Sequence, residues 1–420
     1  MGKFIVEESG RLSGRVRVSG SKNSVLPIIA AALLTDQTCT IHDVPALTDV
    51  LVMQNLIEDF GSTTRWDMSK ETLSITAKNI NKTEASYELC AKMRASFLAA
   101  GPILARTGRV KMSLPGGCAI GSRPVDLHLK GLAALGADIT QEHGYIYAKA
   151  KKLVGANIYL DFPSVGATEN IMMAAVLAKG QTIIQNCAVE PEVVDLSNFL
   201  TSMGAQIRGS GTDTIRISGV DTLSGTSHNI IPDRIEAGTF MIAAAITGGD
   251  VTITNTVTDH LKPAIAKFGE AGVTVEDAEE GMRITAPRLR QAIDIKTLPY
   301  PGFPTDMQAQ FISMLAVTPG TNIVTETVFE NRFMHVPELV RMGADIKIDS
   351  RSAVIEGVDR LTGTQVKATD LRAGAALVLA ALAATGTTEI HDIYHIDRGY
   401  FRFDEKLRGL GAKILRVDNR

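Results

Sequence analysis

The chain repeats itself about every seventy residues, and this period restricts its fold more than any other feature. A Gly, followed by a small or polar residue and a β-like stretch, closes an amphipathic segment at Gly61, Gly136, Gly204, Gly272, Gly343 and Gly411, in steps of 75, 68, 68, 71 and 68. A second marker keeps the same period. Apolar runs open after polar clusters in SKNSVLPIIAAALL, KMRASFLAAGPILA, GATENIMMAAVLA, EAGTFMIAAAI, TDMQAQFISMLAV and RAGAALVLAALAA, beginning near residues 21, 92, 166, 236, 305 and 372. Repeats of this length are supersecondary units that bury their apolar faces against one another.

Each unit reads as strand, helix, strand, second helix, then a strand or hairpin. The first helix is apolar nearly all round, which predicts burial on every side. The second, as in PEVVDLSNFLTSMG and NRFMHVPELVRMG, carries apolar residues at three- and four-residue spacing and ends in Gly, the expected C′ residue. TIIQN, VTITN and NIVTE supply short strands. A chain of 420 residues is too long for one core, so three units in each of two α/β domains are expected, helices inside and sheets outside. The boundary is placed just before PDRIEAGTF. One domain then covers 22–231; the other joins 1–21 to 232–420, with the N-terminal strand completing the last unit's sheet.

Composition removes several function classes. The net charge of -3 offers no basic surplus for nucleic acid, so an anion site must be built locally. Cys39, Cys90, Cys118 and Cys187 show neither CxxC nor zinc-finger spacing, so neither a metal site nor a disulfide framework is expected. MGKFIVEESG is not a signal sequence, and the apolar runs are too short to span a membrane. A cytoplasmic protein without membrane insertion is the expectation.

Cations stand where helix dipoles disfavour them. Lys22, Arg94 and Arg372 open buried-helix runs, while Arg123, Arg332 and Arg398 lie in loops leading into second helices. Helix N-termini attract anions, so a cation added there builds an anion trap. The competing reading pairs each cation with a local carboxylate or with water. Six at equivalent stations favour a basic cleft between the domains, holding a ligand with several phosphates or carboxylates. In LPGGCAIGSRPVDLH, Cys118 sits among Gly and Pro with Arg123 five residues on. A nearby cation lowers a thiol pKa towards neutrality, where it can act as a general acid. The other three cysteines read as small buried hydrophobes. In FPTDMQAQF, Thr305 or Asp306 reads first as an N-cap. Asp306 is also a candidate general base; Glu330 is a second candidate, read chiefly as orienting Arg332.

SGSKN, PGGCAIGSRPVDLH, PTDMQAQ, ENRFMH, TDLRAGAAL and YHIDRGY together resemble the UDP-N-acetylglucosamine 1-carboxyvinyltransferase family of enolpyruvyl transferases, over essentially the whole chain. The resemblance implies two inside-out α/β domains with three-fold pseudo-symmetry and an active site in the cleft between them. It implies transfer of the enolpyruvyl group of phosphoenolpyruvate to the sugar 3-hydroxyl with release of phosphate. That is the first committed step of peptidoglycan precursor synthesis, which serves cell-wall biogenesis, cell shape and division. Lys22, Asn23, Arg123 and Arg398 would hold phosphoenolpyruvate. Arg94, Arg123, Pro124, Val125, Asp126, Leu127, Ser164, Val165, Gly166, Asp306 and Val328 would line the nucleotide sugar. Arg332 and Arg372 would support the closed state. Asp306 would take the hydroxyl proton; Cys118 would donate a proton and be alkylated by fosfomycin. Lys22 and Arg398 would join them in catalysis. No metal or organic cofactor is implied, and the partners are the two small substrates. Phe162 departs from family members that carry Lys there, near the UDP phosphates. Two rivals are a shikimate 3-phosphate enolpyruvyl transferase, against which the cysteine loop and HIDRGY argue, and a non-catalytic sugar-nucleotide-binding relative.

Overall fold

A computed structural model of the chain describes residues 2–114, 124–286 and 291–418. These fall into two compact units: a flanking unit, made of the described residues up to Ser19 and from Pro232 onward, and an inserted unit between Gly20 and Ile231. In the inserted unit the helices Lys22–Ala31, Ala100–Thr107 and Val165–Ala175 form the interior. In the flanking unit Arg234–Ile246, Gln308–Leu315 and Leu371–Leu382 do so and pack on one another. Every residue of Gln308–Leu315 is buried, as the all-round apolar pattern predicts.

Sheets wrap these helices, and their strands alternate buried with exposed residues, as in Gln181–Gln185 and Thr387–His391. The repeated element is strand, buried helix, parallel strand, then an antiparallel hairpin. Asn157–Tyr159 pairs in parallel with Gln181–Gln185, Ile295–Lys296 with Thr321–Thr325, and Gln365–Lys367 with Thr387–His391. Where the chain passes between units, leading strands are exchanged. Ser13–Arg17 leads into Lys22–Ala31 but pairs with Asp250–Thr254, and Ser227–Asn229 leads into Arg234–Ile246 but pairs with Thr38–His42. The strand Lys3–Glu7 lies antiparallel between Thr387–His391 and Ile414–Val417. The inside-out α/β class expected from the repeat is therefore the observed one.

Gly61, Gly136, Gly204, Gly272, Gly343 and Gly411 take φ of 110, 93, 106, 84, 92 and 98°, the left-handed region that a Cβ disfavours. Two units open on a 3₁₀ segment instead of a continuous helix, the fifth over Thr305–Met307 and, at greater length, the second. Arg94–Ala99 is a 3₁₀ segment, and the α-helix starts only at Ala100. Pro102, third in this helix, lacks the N–H a helix interior needs and is tolerated in a first turn, so the start at Ala100 accommodates it. Gly101 allows the close crossing: a Cβ would lie 2.4 Å from Asn170 Oδ1. Among the described residues no helix is long and apolar enough to cross a membrane.

Candidate active site

In the flanking unit three predicted residues meet. Asp306 lies in the 3₁₀ turn Thr305–Met307, ahead of the buried helix Gln308–Leu315. Arg332 Nη2 donates to Asp306 Oδ1 at 2.6 Å, and Arg372 Nη2 to Asp306 Oδ2 at 3.0 Å. The arginine side chains are 6% and 2% exposed, the carboxylate 28%. A carboxylate held at both oxygens by buried guanidiniums and still partly exposed is fixed in orientation. Neither Thr305 nor Asp306 caps a helix, so the N-cap expectation fails: the Asp306 carboxylate faces the arginines, and Thr305 Oγ1 donates to Glu326 Oε2 at 2.7 Å. Glu330 does not orient Arg332 either. It is exposed and makes no ion pair with it. Arg332 Nη1 instead donates to Thr305 Oγ1 at 2.9 Å.

Two supports lie beneath this cluster. Arg372 stacks over the Tyr400 ring, 5.3 Å from its centroid. The Tyr400 hydroxyl lies 3.0 Å from Thr239 Oγ1 and accepts from Gln310 Nε2 at 3.1 Å. Burial pushes the Tyr400 phenol up, so it serves as a neutral hydrogen-bonding group. Glu326, the second support, is 1% exposed. Arg398 ends the 3₁₀ segment Ile393–Arg398 and is half-buried, and Val328 is half-buried just past Thr321–Thr325.

In the inserted unit Lys22 is the first residue of Lys22–Ala31, and its Nζ lies 3.4 Å from Asp49 Oδ2, both side chains nearly buried. Asn23 is half-buried beside it. Arg94 Nη2 donates to the Pro124 carbonyl at 3.0 Å, which ties it to the segment Pro124, Val125, Asp126 and Leu127; Asp126 opens the helix Asp126–Ala134. Ser164 caps Val165–Ala175, its Oγ accepting from Ala167 N–H at 3.3 Å, with Val165 and Gly166 in the first turn. Phe162 is exposed. Lys22, Arg332 and Arg372 thus each pair with a carboxylate, but with one 27, 26 and 66 residues away rather than a local one. Cys118 and Arg123 lie outside the described residues. Cys39, Cys90 and Cys187 are buried, as their apolar contexts predict. The pattern gave no signal for Asp49, Glu326 or Tyr400, whose side-chain partners Lys22, Thr305 and Gln310 lie 27, 21 and 90 residues away.

Two buried titratable groups beside these residues set opposite pH dependences. Burial, then the nearby Glu192 and Glu190, raises the Glu169 pKa well above the usual carboxylate range. The folded state therefore holds a proton that the unfolded chain releases above about 4.3. Its stabilisation is complete below that pH and is lost as pH rises. His335 is the reverse: burial lowers its pKa to about 4. Its contribution is complete above about 6.5 and is lost as pH falls towards 4. Melting curves at pH 5 and pH 8 are expected to show Glu169→Gln gaining stability over the wild type chiefly at pH 8, and His335→Leu flattening the acid-side loss. The slopes are at most about 1.4 kcal/mol per pH unit. Parallel pH profiles for wild type and both variants would contradict this.

Six βα units with buried helices, and a carboxylate held by arginines at a helix start, define an enolpyruvyl-transferase architecture. The sequence profile of the family described as EPSP synthase (3-phosphoshikimate 1-carboxyvinyltransferase) matches residues 6–407, and the chain belongs to this family. Within it, the chain is 62% identical to UDP-N-acetylglucosamine 1-carboxyvinyltransferase 1 of Caldanaerobacter subterraneus subsp. tengcongensis over 99% of both chains. It is 60% identical to UDP-N-acetylglucosamine 1-carboxyvinyltransferase 2 of Carboxydothermus hydrogenoformans over 100% of both. Among solved structures, the enolpyruvyl transferase NikO from Streptomyces tendae superposes with a TM-score of 0.89 at 26% identity, covering 100% of this chain and 99% of its own. EPSP synthase from Acinetobacter baumannii shares the fold, with a TM-score of 0.77 at 19% identity and full coverage of both chains.

Proposed function

We propose that this chain is a transferase that moves the enolpyruvyl group of phosphoenolpyruvate onto the 3-hydroxyl of UDP-N-acetylglucosamine, releasing phosphate. The observation that carries this is the Asp306 carboxylate, held by Arg332 and Arg372, in a chain 62% identical to an enzyme of that name. The far lower identity to the Acinetobacter EPSP synthase, 19%, argues against shikimate 3-phosphate as acceptor.

In the addition step the sugar O3 bonds to C2 of phosphoenolpyruvate, Asp306 takes the hydroxyl proton and Cys118 supplies a proton to C3. In the elimination step the C2–O bond to phosphate breaks as C3 gives up a proton, restoring the double bond. Lys22, Asn23, Arg123 and Arg398 are assigned to the phosphate and carboxylate of phosphoenolpyruvate, where preorganised cations stabilise developing charge. Arg94, Arg123 to Leu127, Ser164 to Gly166, Asp306 and Val328 are assigned to the nucleotide sugar. This would place the chain in the cytoplasm, at the start of peptidoglycan precursor synthesis.

The test is phosphate release with phosphoenolpyruvate and UDP-N-acetylglucosamine as the only substrates, run beside shikimate 3-phosphate as acceptor. Release with shikimate 3-phosphate alone would overturn the acceptor. Binding of the sugar nucleotide without release from either would leave a non-catalytic relative. A labelling experiment checks the thiol assignment. Burial raises the Cys39 and Cys90 thiols and pushes Cys187 up to about 11, so these three are poor nucleophiles at neutral pH. Fosfomycin is expected to add once per chain, at Cys118, and Cys118→Ser to abolish the adduct; an adduct on any other cysteine contradicts the assignment.

A further inference from the structure

The residue just after the first strand that follows a buried helix can be compared across the repeat. Asp43, Asn186, Asn255 and Asp392 occupy that station, with φ of 59, 53, 54 and 59°. Asn186 and Asn255 use the side chain to donate to the neighbouring strand's Leu160 and Val18 carbonyls, at 2.7 and 2.8 Å. Two units differ: the second has Leu114 at the station and the fifth Glu326, neither of them left-handed, and neither side chain can donate. The equivalent neighbouring carbonyl, Thr297 O, accepts from Thr327 Oγ1 instead, at 2.5 Å. The Glu326 carboxylate is released from the local role and gathers four donors. Oε1 accepts from Thr297 Oγ1 at 2.9 Å, Val328 N–H at 2.8 Å and Phe329 N–H at 3.1 Å. Oε2 accepts from Thr305 Oγ1 at 2.7 Å. A carboxylate buried at 1% exposure persists only when its lone pairs are met in this way.

We infer that Glu326 is a positioning residue for the reaction proposed above: one buried side chain sets both the Thr305–Asp306–Arg332 cluster and the backbone at Val328. Thr305 gives its hydroxyl proton to Glu326, so its oxygen lone pairs point to Arg332 Nη1, whose Nη2 holds Asp306. The other oxygen fixes the turn that carries Val328, a residue assigned to the nucleotide sugar. The inference rests on that functional reading, and departures from a repeat's local rule are expected where a site is built.

The two branches separate by mutation. Glu326→Gln retains an amide oxygen for the Val328 and Phe329 N–H groups, but presents an NH₂ to Thr305. It is expected to lower kcat about tenfold or more with the KM for UDP-N-acetylglucosamine within about twofold of wild type. Glu326→Ala loses both branches and should raise that KM as well. Thr305→Val should match Glu326→Gln in kcat, Thr305→Ser should restore it, and the Thr305→Val/Glu326→Gln double variant should be no worse than the poorer single. Deuterium exchange of the peptide carrying Val328 and Phe329 should quicken in Glu326→Ala and stay slow in Glu326→Gln. Wild-type kinetics in folded Glu326→Gln, or multiplying losses in the double variant, would overturn the proposal. If the wild-type chain releases no phosphate, the functional reading fails; the exchange result then still decides whether Glu326 holds the turn, and unchanged exchange in Glu326→Ala would sink that separately.

Discussion

Asp306→Ala is expected to lower turnover by about 10²–10⁴-fold, the usual contribution of a positioned acid or base. Two effects compete in this variant. The first is loss of the proton acceptor. The second is that Arg332 and Arg372, almost fully buried, face each other with their shared counter-ion gone. Breaking a buried ion pair costs about 3 kcal/mol, which for a unit of this size is a fall in melting temperature of roughly 6–12 °C. Asp306→Asn separates the two. It keeps the volume and one acceptor oxygen, so the melting temperature should recover much of the difference while turnover stays low. Assays run well below the alanine variant's melting point then report chemistry alone. If either variant keeps more than a few per cent of the wild-type rate, Asp306 is not the base.

Lys22→Ala is expected to raise the KM for phosphoenolpyruvate about a hundredfold, from loss of a charge-assisted hydrogen bond of about 3 kcal/mol, with little change for the sugar nucleotide. Asp49 complicates the measurement. The pair lies 3.4 Å apart with side chains 10% and 5% exposed, so removing Lys22 strands a buried carboxylate. Pairing the change with Asp49→Asn relieves that charge. The double variant should regain stability without regaining phosphoenolpyruvate affinity. Lys22→Arg should rescue only in part, because a planar guanidinium does not fit a buried point-charge site. An unchanged KM in Lys22→Ala would reduce Lys22 to a structural partner of Asp49.

What could be read from the chain beforehand divides along physical lines. The six units were legible because both markers are local. A helix that is apolar on every face must be buried wherever it sits, and a C′ glycine needs only its own backbone to demand a positive φ. The stations of Lys22, Arg332 and Arg372 were legible as anomalies, since helix starts do not favour cations. Their partners were not. Asp49 is 27 residues from Lys22, Asp306 is 66 from Arg372, and Tyr400 is 90 from Gln310. No periodicity links such positions, because the buried helices bring them together only in three dimensions. The N-cap reading of Thr305 and Asp306 failed for the same reason: local propensity favoured a cap, and two arginines from elsewhere made a stronger offer. Glu330 reads as the orienting carboxylate because it is near Arg332 in sequence, whereas the buried carboxylate that reaches Arg332 is Glu326, by way of Thr305.

The strand Lys3–Glu7 has a consequence for how the molecule is made. Both of its hydrogen-bonded neighbours, Thr387–His391 and Ile414–Val417, are translated long after it. Gly20 to Ile231 emerges from the ribosome with all its pairing strands in hand, while the first strand trails with both edges unpaired. At roughly 5–20 residues per second the wait is some 20–80 seconds. For that interval KFIVE is a short exposed β-segment on a nascent polypeptide, open to trigger-type chaperones or to other chains.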